Sequence, residues 1–120
     1  MARTIFERYG GFAKISRVVS DFYENMLDEP IVAKYFDNVD MRRLMDHQTK
    51  FIAQLTGGPV SYSDEALQRV HAHLSIDNTA FNAMARILCE TLEDFDFAQD
   101  DVDAIRAEIA VRRHLIVTIE

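Results

Sequence analysis

The chain has 120 residues, 48% hydrophobic and 28% charged, ordinary globular proportions that argue against disorder and lead us to expect one all-helical domain over 1–120. Twenty acidic against thirteen basic residues give a formal net charge of −7, which disfavours nucleic acid as a partner. The single cysteine, Cys89, has no partner for an internal disulfide, and there is no basic-then-apolar leader and no apolar run of about 18 residues, so a cytoplasmic protein with no membrane partner is expected.

Four glycines and two prolines punctuate the chain, as Gly10-Gly11, Pro30 and Gly57-Gly58-Pro59. Between the first two marks, Ile15, Val18, Val19, Phe22 and Met26 recur at helical spacing and predict an amphipathic helix with one buried face. Pro30 suits the first turn of a short helix running through Phe36, where its missing N–H would have no partner anyway. Asp40 is placed to cap the next helix, whose apolar stripe of Met41, Leu44, Met45, Ile52 and Leu55 runs to the Gly-Gly-Pro stop. Ser63 can cap a short helix with Leu67, Val70, His71 and Leu74 on one face. Asp77, Asn78 and Thr79 break and restart the chain before a longer helix marked by Phe81, Met84, Leu88, Leu92 and Phe95. A last helix after Gln99-Asp100-Asp101 turns Val102, Ile105, Ile109 and Ile116 inward. With no repeat and no alternating strand pattern, the class is all-α.

Several polar groups fall on these apolar faces. At about 100° per residue, His71 shares a sector with Leu67, Val70 and Leu74, whereas His73 points well away. A buried imidazole needs a partner for each ring nitrogen. A metal on one nitrogen and a backbone carbonyl near Leu67 on the other would serve; so would a side chain or water, and both readings stand. Gln48 sits near the middle of the stripe that starts at Met41, with His47 on its flank beside Leu44 and Phe51, and Tyr23 flanks the Ile15 to Met26 face. Three helices thus each offer polar groups to an apolar interior, the composition of a small-ligand pocket. Four histidines and one cysteine without an HExxH or CxxC motif supply no closed zinc set. Glycine-rich phosphate loops and a nucleophile elbow are missing. The acids lie mostly on outer faces or helix starts, where solvation and the helix dipole account for them, and none is assigned acid–base catalysis.

The order of these segments resembles the truncated haemoglobins, in particular their group I, from about Ile5 to Ile116. The residues that carry the resemblance are Tyr9-Gly10-Gly11, Val18-Val19 with Asp21-Phe22-Tyr23, Tyr35-Phe36, Asp40-Met41, His47-Gln48 with Phe51, Gly57-Gly58-Pro59 followed by Tyr62, and Val70-His71 with Ile76 and Phe81. It implies a globin-like two-over-two helical sandwich enclosing haem b (iron protoporphyrin IX). His71 matches the proximal iron ligand and Phe36 the ring packed on the haem plane. Tyr23 and Gln48 match distal ligand-binding residues, and Leu44 and His47 two further distal positions. In some members the histidine matching His47 is itself an iron ligand. Phe51, Val70, Ile76, Phe81 and Met84 are expected in the haem pocket. Groups II and III typically carry tryptophan where Met84 stands, and this chain has no tryptophan.

Two positions depart from the family pattern. His73 and Ser75 stand where glycine is common, so the loop after His71 is expected to be stiffer or differently shaped. The implied function is reversible binding of O2, and of NO and CO, by a monomer or weak dimer. NO dioxygenase or peroxidase chemistry is the alternative and would require a separate reductase, because no flavin or nicotinamide fingerprint is present. A haem-free helical interaction module is the third possibility.

Overall fold

Thr4 and Glu7 begin the first ordered turn. In this computed structural model, which describes residues 3–37, 39–60 and 63–117 apart from the side chains of Val70 and His73, helix α1 (Ile5–Arg8) opens on a reciprocal capping box. The Glu7 N–H donates to Thr4 Oγ1, and the Thr4 N–H donates to the Glu7 carboxylate. Gly10 and Gly11 then turn the chain in left-handed conformations into α2 (Gly11–Leu27). Its buried residues are the expected Ile15, Val18, Val19, Phe22 and Met26, together with Tyr23.

Pro30 occupies the first turn of α3 (Pro30–Ala33), which tightens into a 3-10 turn through Phe36. Asp40 caps α4 (Met41–Leu55) by accepting from the Arg43 N–H. Beyond its end, α1 comes so close that a Cβ on Gly58 would sit 2.8 Å from the Phe6 ring and 3.0 Å from the Ala53 carbonyl oxygen. Only glycine fits that approach, and the Phe6 N–H donates to the Thr56 carbonyl beside it. Ser63 caps α5 (Asp64–His71), accepting from the Ala66 N–H at 3.0 Å, and the chain continues as a 3-10 turn over Ala72–Leu74. Asp77 caps α6 (Asn78–Asp94) in the same way, at 2.8 Å. The predicted last helix is two helices, α7 (Gln99–Ala110) and α8 (Arg113–Ile116). Arg112, with φ −104° and ψ 5°, leaves the helical region between them, and the break lets α8 pack on α5 while burying Leu115 and Ile116.

Helices α2 and α4 pack on each other, α6 packs on α7, and the pairs meet through α2–α6 and α4–α7 contacts, a two-over-two helical sandwich. Ile15, Val18, Val19, Ile52, Leu88, Leu92, Val102 and Ile105 form its fully buried centre. One acid departs from the solvated role expected of it. Asp101 does lie at a helix start, yet only 8% of it is exposed. Arg8 grips both its carboxylate oxygens, at 2.6 and 2.9 Å, and the Tyr9 hydroxyl donates to it at 2.7 Å. The same hydroxyl accepts from the Ala98 N–H, while the Tyr9 ring stacks on Phe97 at 3.8 Å, so this cluster ties α1 to the start of α7.

Candidate functional site

His71 is the last residue of α5, and the helix itself orients the ring. Its Nδ1 lies 2.8 Å from the carbonyl oxygen of Leu67, one turn back. A carbonyl can only accept, so Nδ1 carries a proton toward it, which makes Nε2 the nitrogen a metal would take.

The ring stands at the wall of a cavity of about 540 Å³ between α4 and α5. Leu44, Phe51, Leu67 and Leu74 give the cavity its apolar surface, and His47, Gln48 and His71 its polar points. Five residues singled out from the sequence, Leu44, His47, Gln48, Phe51 and His71, are therefore brought together here. They differ in depth: Phe51 is buried, Leu44, Gln48 and His71 are half-buried, and His47 is exposed at the rim. Sequence reasoning missed Asp40 and Arg43, which line the cavity at the start of α4. Arg43 was in principle discoverable, since it lies one helical turn before His47 on the same flank.

Tyr23 and Phe36 lie outside the cavity lining. Tyr23 is 4% exposed on α2 and meets the Phe36 ring edge-on, with centroids 5.4 Å apart. Burial pushes its hydroxyl well above the ordinary tyrosine range, so it remains a protonated donor. Ile76 and Phe81 are buried in the core cluster and Met84 packs half-buried against it, none of them on the cavity surface. Tyr62 and the side chains of Val70 and His73 lie outside the described residues.

In the loop after His71, one of the two departures, Ser75, takes a backbone that glycine adopts more readily. Ser75 has φ 55° and ψ 44°, in the left-handed region, so the substitution leaves strain in place. The Tyr35 hydroxyl reaches its carbonyl at 3.5 Å.

These residues fit haem better than a bare ion. Among the described residues no group of three or more histidine, cysteine, aspartate or glutamate side chains could hold a metal. A single oriented imidazole on an apolar wall suits an iron whose other ligands come from a macrocycle. No helix among the described residues is long and apolar enough to cross a membrane.

Comparison with known proteins gives the same picture. The bacterial-like globin family model matches residues 4–118. A group 1 truncated hemoglobin of Tetrahymena thermophila is 32% identical over 91 residues, 76% of this chain and 75% of that protein. One from Synechocystis is 26% identical over 92% of this chain and 93% of its own length. Among solved structures, the truncated hemoglobin of Tetrahymena pyriformis in its Fe(III) form superposes with a TM-score of 0.87 at 27% identity, covering 96% of this chain and 98% of its own. The 2/2 hemoglobin from Synechococcus with covalently attached heme gives 0.89 at 25% identity, with the same coverage.

Proposed function

This chain belongs to the bacterial-like globin family, and from that premise we propose that Nε2 of His71 holds its haem iron and that α2 and α4 supply the side chains facing a bound gas. Membership carries haem b as the cofactor and a diatomic gas as the ligand. Bound in the cavity, haem supplies the iron at which O2, NO or CO is taken up; the rest falls to this chain's own residues.

The observation that carries the proposal is the His71–Leu67 hydrogen bond at the wall of an apolar cavity. The Leu67 carbonyl fixes the tautomer, stops the ring from rotating and makes Nε2 more electron-donating. Leu44, Phe51 and Leu67 give the same space an apolar lining. Gln48, on the cavity surface, offers an amide donor to a ligand with partial negative charge. The buried Tyr23 hydroxyl, backed by Phe36, is assigned the second donor. Each such bond contributes about 0.5–1.5 kcal/mol net, and more toward a charged acceptor, so slow O2 release follows. Oxidation of NO at this site would draw its electrons from a separate reductase.

Hemin titration of the apoprotein tests the assignment. His71→Ala is expected to abolish the saturable Soret shift near one equivalent, while His73→Ala retains it. A His71→Ala protein that binds hemin like the wild type would overturn the assignment.

A further inference from the structure

On the far side of α6, a second cleft of about 590 Å³ runs between that helix and α7–α8. Its apolar lining is Phe81, Ala85, Ile109 and Ala110, of which Ala110 is exposed. Arg86, Arg106 and Arg113 stand around it together with Glu90 and Glu93.

The three guanidinium groups are not equivalent. Arg86 is paired with Glu90 at 2.7 Å and reaches Glu29 at 3.6 Å. Arg106 donates from Nε to Cys89 Sγ at 3.4 Å and feels the charges of Asp103 and Glu93. Arg113 instead donates to two neutral acceptors, the side-chain oxygens of Asn78 and Asn82, the latter at 2.6 Å. Its guanidinium lies over the Phe81 ring, 4.6 Å from the centroid. No carboxylate among the described residues pairs with it. The asparagines thus fix the plane without neutralising the charge, and three of its five N–H donors are not taken by described residues. Glu90 and Glu93 lie roughly 12 and 16 Å further along α6 than Asn82, so the Arg113 end is the cationic one.

We propose that this cleft binds an amphiphilic carboxylate, with the carboxylate on Arg113 and the hydrocarbon chain along Phe81, Ala85, Ile109 and Ala110. A guanidinium held in one plane matches a carboxylate's two oxygens. The apolar floor beside it rewards a chain that phosphate lacks, and the fixed charge rewards a head group that a neutral alcohol lacks. The cavity size falls within the range of small-ligand sites.

Octanoate is the probe, titrated into the haem-loaded, CO-saturated ferrous protein so that the iron gives it no site. Amide and Arg Nε resonances report the binding. Saturable shifts at Ala85, Ala110 and Arg113, with none from octanol or inorganic phosphate at equal concentration, are expected. Arg113→Gln is expected to weaken octanoate binding about tenfold or more. Ala110→Leu, which narrows the cleft from an exposed lining position and leaves every charge in place, should weaken it as well, with the Soret band of both variants unchanged. Failure of octanoate to saturate these resonances, octanol binding as tightly, or wild-type binding in either variant would overturn the proposal.

Discussion

Replacing Ser75 with glycine is expected to stabilise the protein, against the usual effect of introducing glycine. Ser75 is exposed and sits at φ 55°, ψ 44°, where a residue with a Cβ is disfavoured by about 1–2 kcal/mol. Glycine relieves that strain but gives the unfolded chain more freedom, at a cost of about 0.4–1 kcal/mol. Midway through both ranges, the difference is a gain of about 0.8 kcal/mol. For a chain of this length each kcal/mol moves Tm by about 4 °C, so Ser75→Gly should raise it by about 2–4 °C. Ser75→Val, with a stiff branched side chain in the same backbone region, should lower Tm by about 4 °C or more. Calorimetric melts of both the apoprotein and the CO-saturated haem protein separate backbone strain from the stabilisation that a bound ligand adds. Strain in the backbone predicts the same sign of change in both forms. A Ser75→Gly protein that melts at or below the wild-type temperature in both forms would exclude backbone strain at this position.

Tyr23→Phe is expected to speed O2 dissociation about tenfold in stopped-flow displacement while hardly changing CO, because only O2 carries charge for a hydroxyl to stabilise. Since burial holds Tyr23 above the ordinary tyrosine range, the wild-type O2 off-rate should show no step from this group between neutral pH and about pH 10. Asp101 is held below its ordinary range first by the Arg8 hydrogen bonds and then by that from Tyr9. A depressed folded-state value means a contribution present above the unfolded carboxylate's range and lost as pH falls through the folded one. Asp101→Asn should therefore melt lower than wild type at neutral pH, with the two Tm curves converging in acid; parallel curves would exclude the carboxylate as the cause. His47, at the cavity rim one turn from Leu44 and Phe51, is expected to bind the iron in part of the population when no gas is bound. The deoxy ferrous spectrum should then show split low-spin bands that His47→Ala replaces with one broad high-spin band, whereas a fully high-spin wild type would leave His47 as a rim residue.

What could be seen in the sequence was what a single helix determines for itself. The stripe from Ile15 to Met26, the caps at Asp40 and Ser63, and a backbone carbonyl near Leu67 for the His71 ring all depend on partners within one or two turns. Helix α1 escaped because four residues carry no periodicity, although Thr4 and Glu7 show the capping box once it is sought. The break between α7 and α8 was hidden by the seven-residue step from Ile109 to Ile116, which stays in phase with an unbroken helix. Asp101 looked like an ordinary first-turn acid because its partner Arg8 lies 93 residues away. The site divides along the same line. Helical phase gives the direction in which a side chain leaves its axis, so it can mark Tyr23, His47 and Gln48 as polar groups on or beside apolar faces. How far each is covered depends on what packs opposite: Phe22 and Phe36 close over Tyr23, whereas His47 opens to solvent at the rim of the cavity. Two residues with the same angular relation to an apolar stripe therefore end at different depths, because depth is set by the elements packed opposite and not by helical phase.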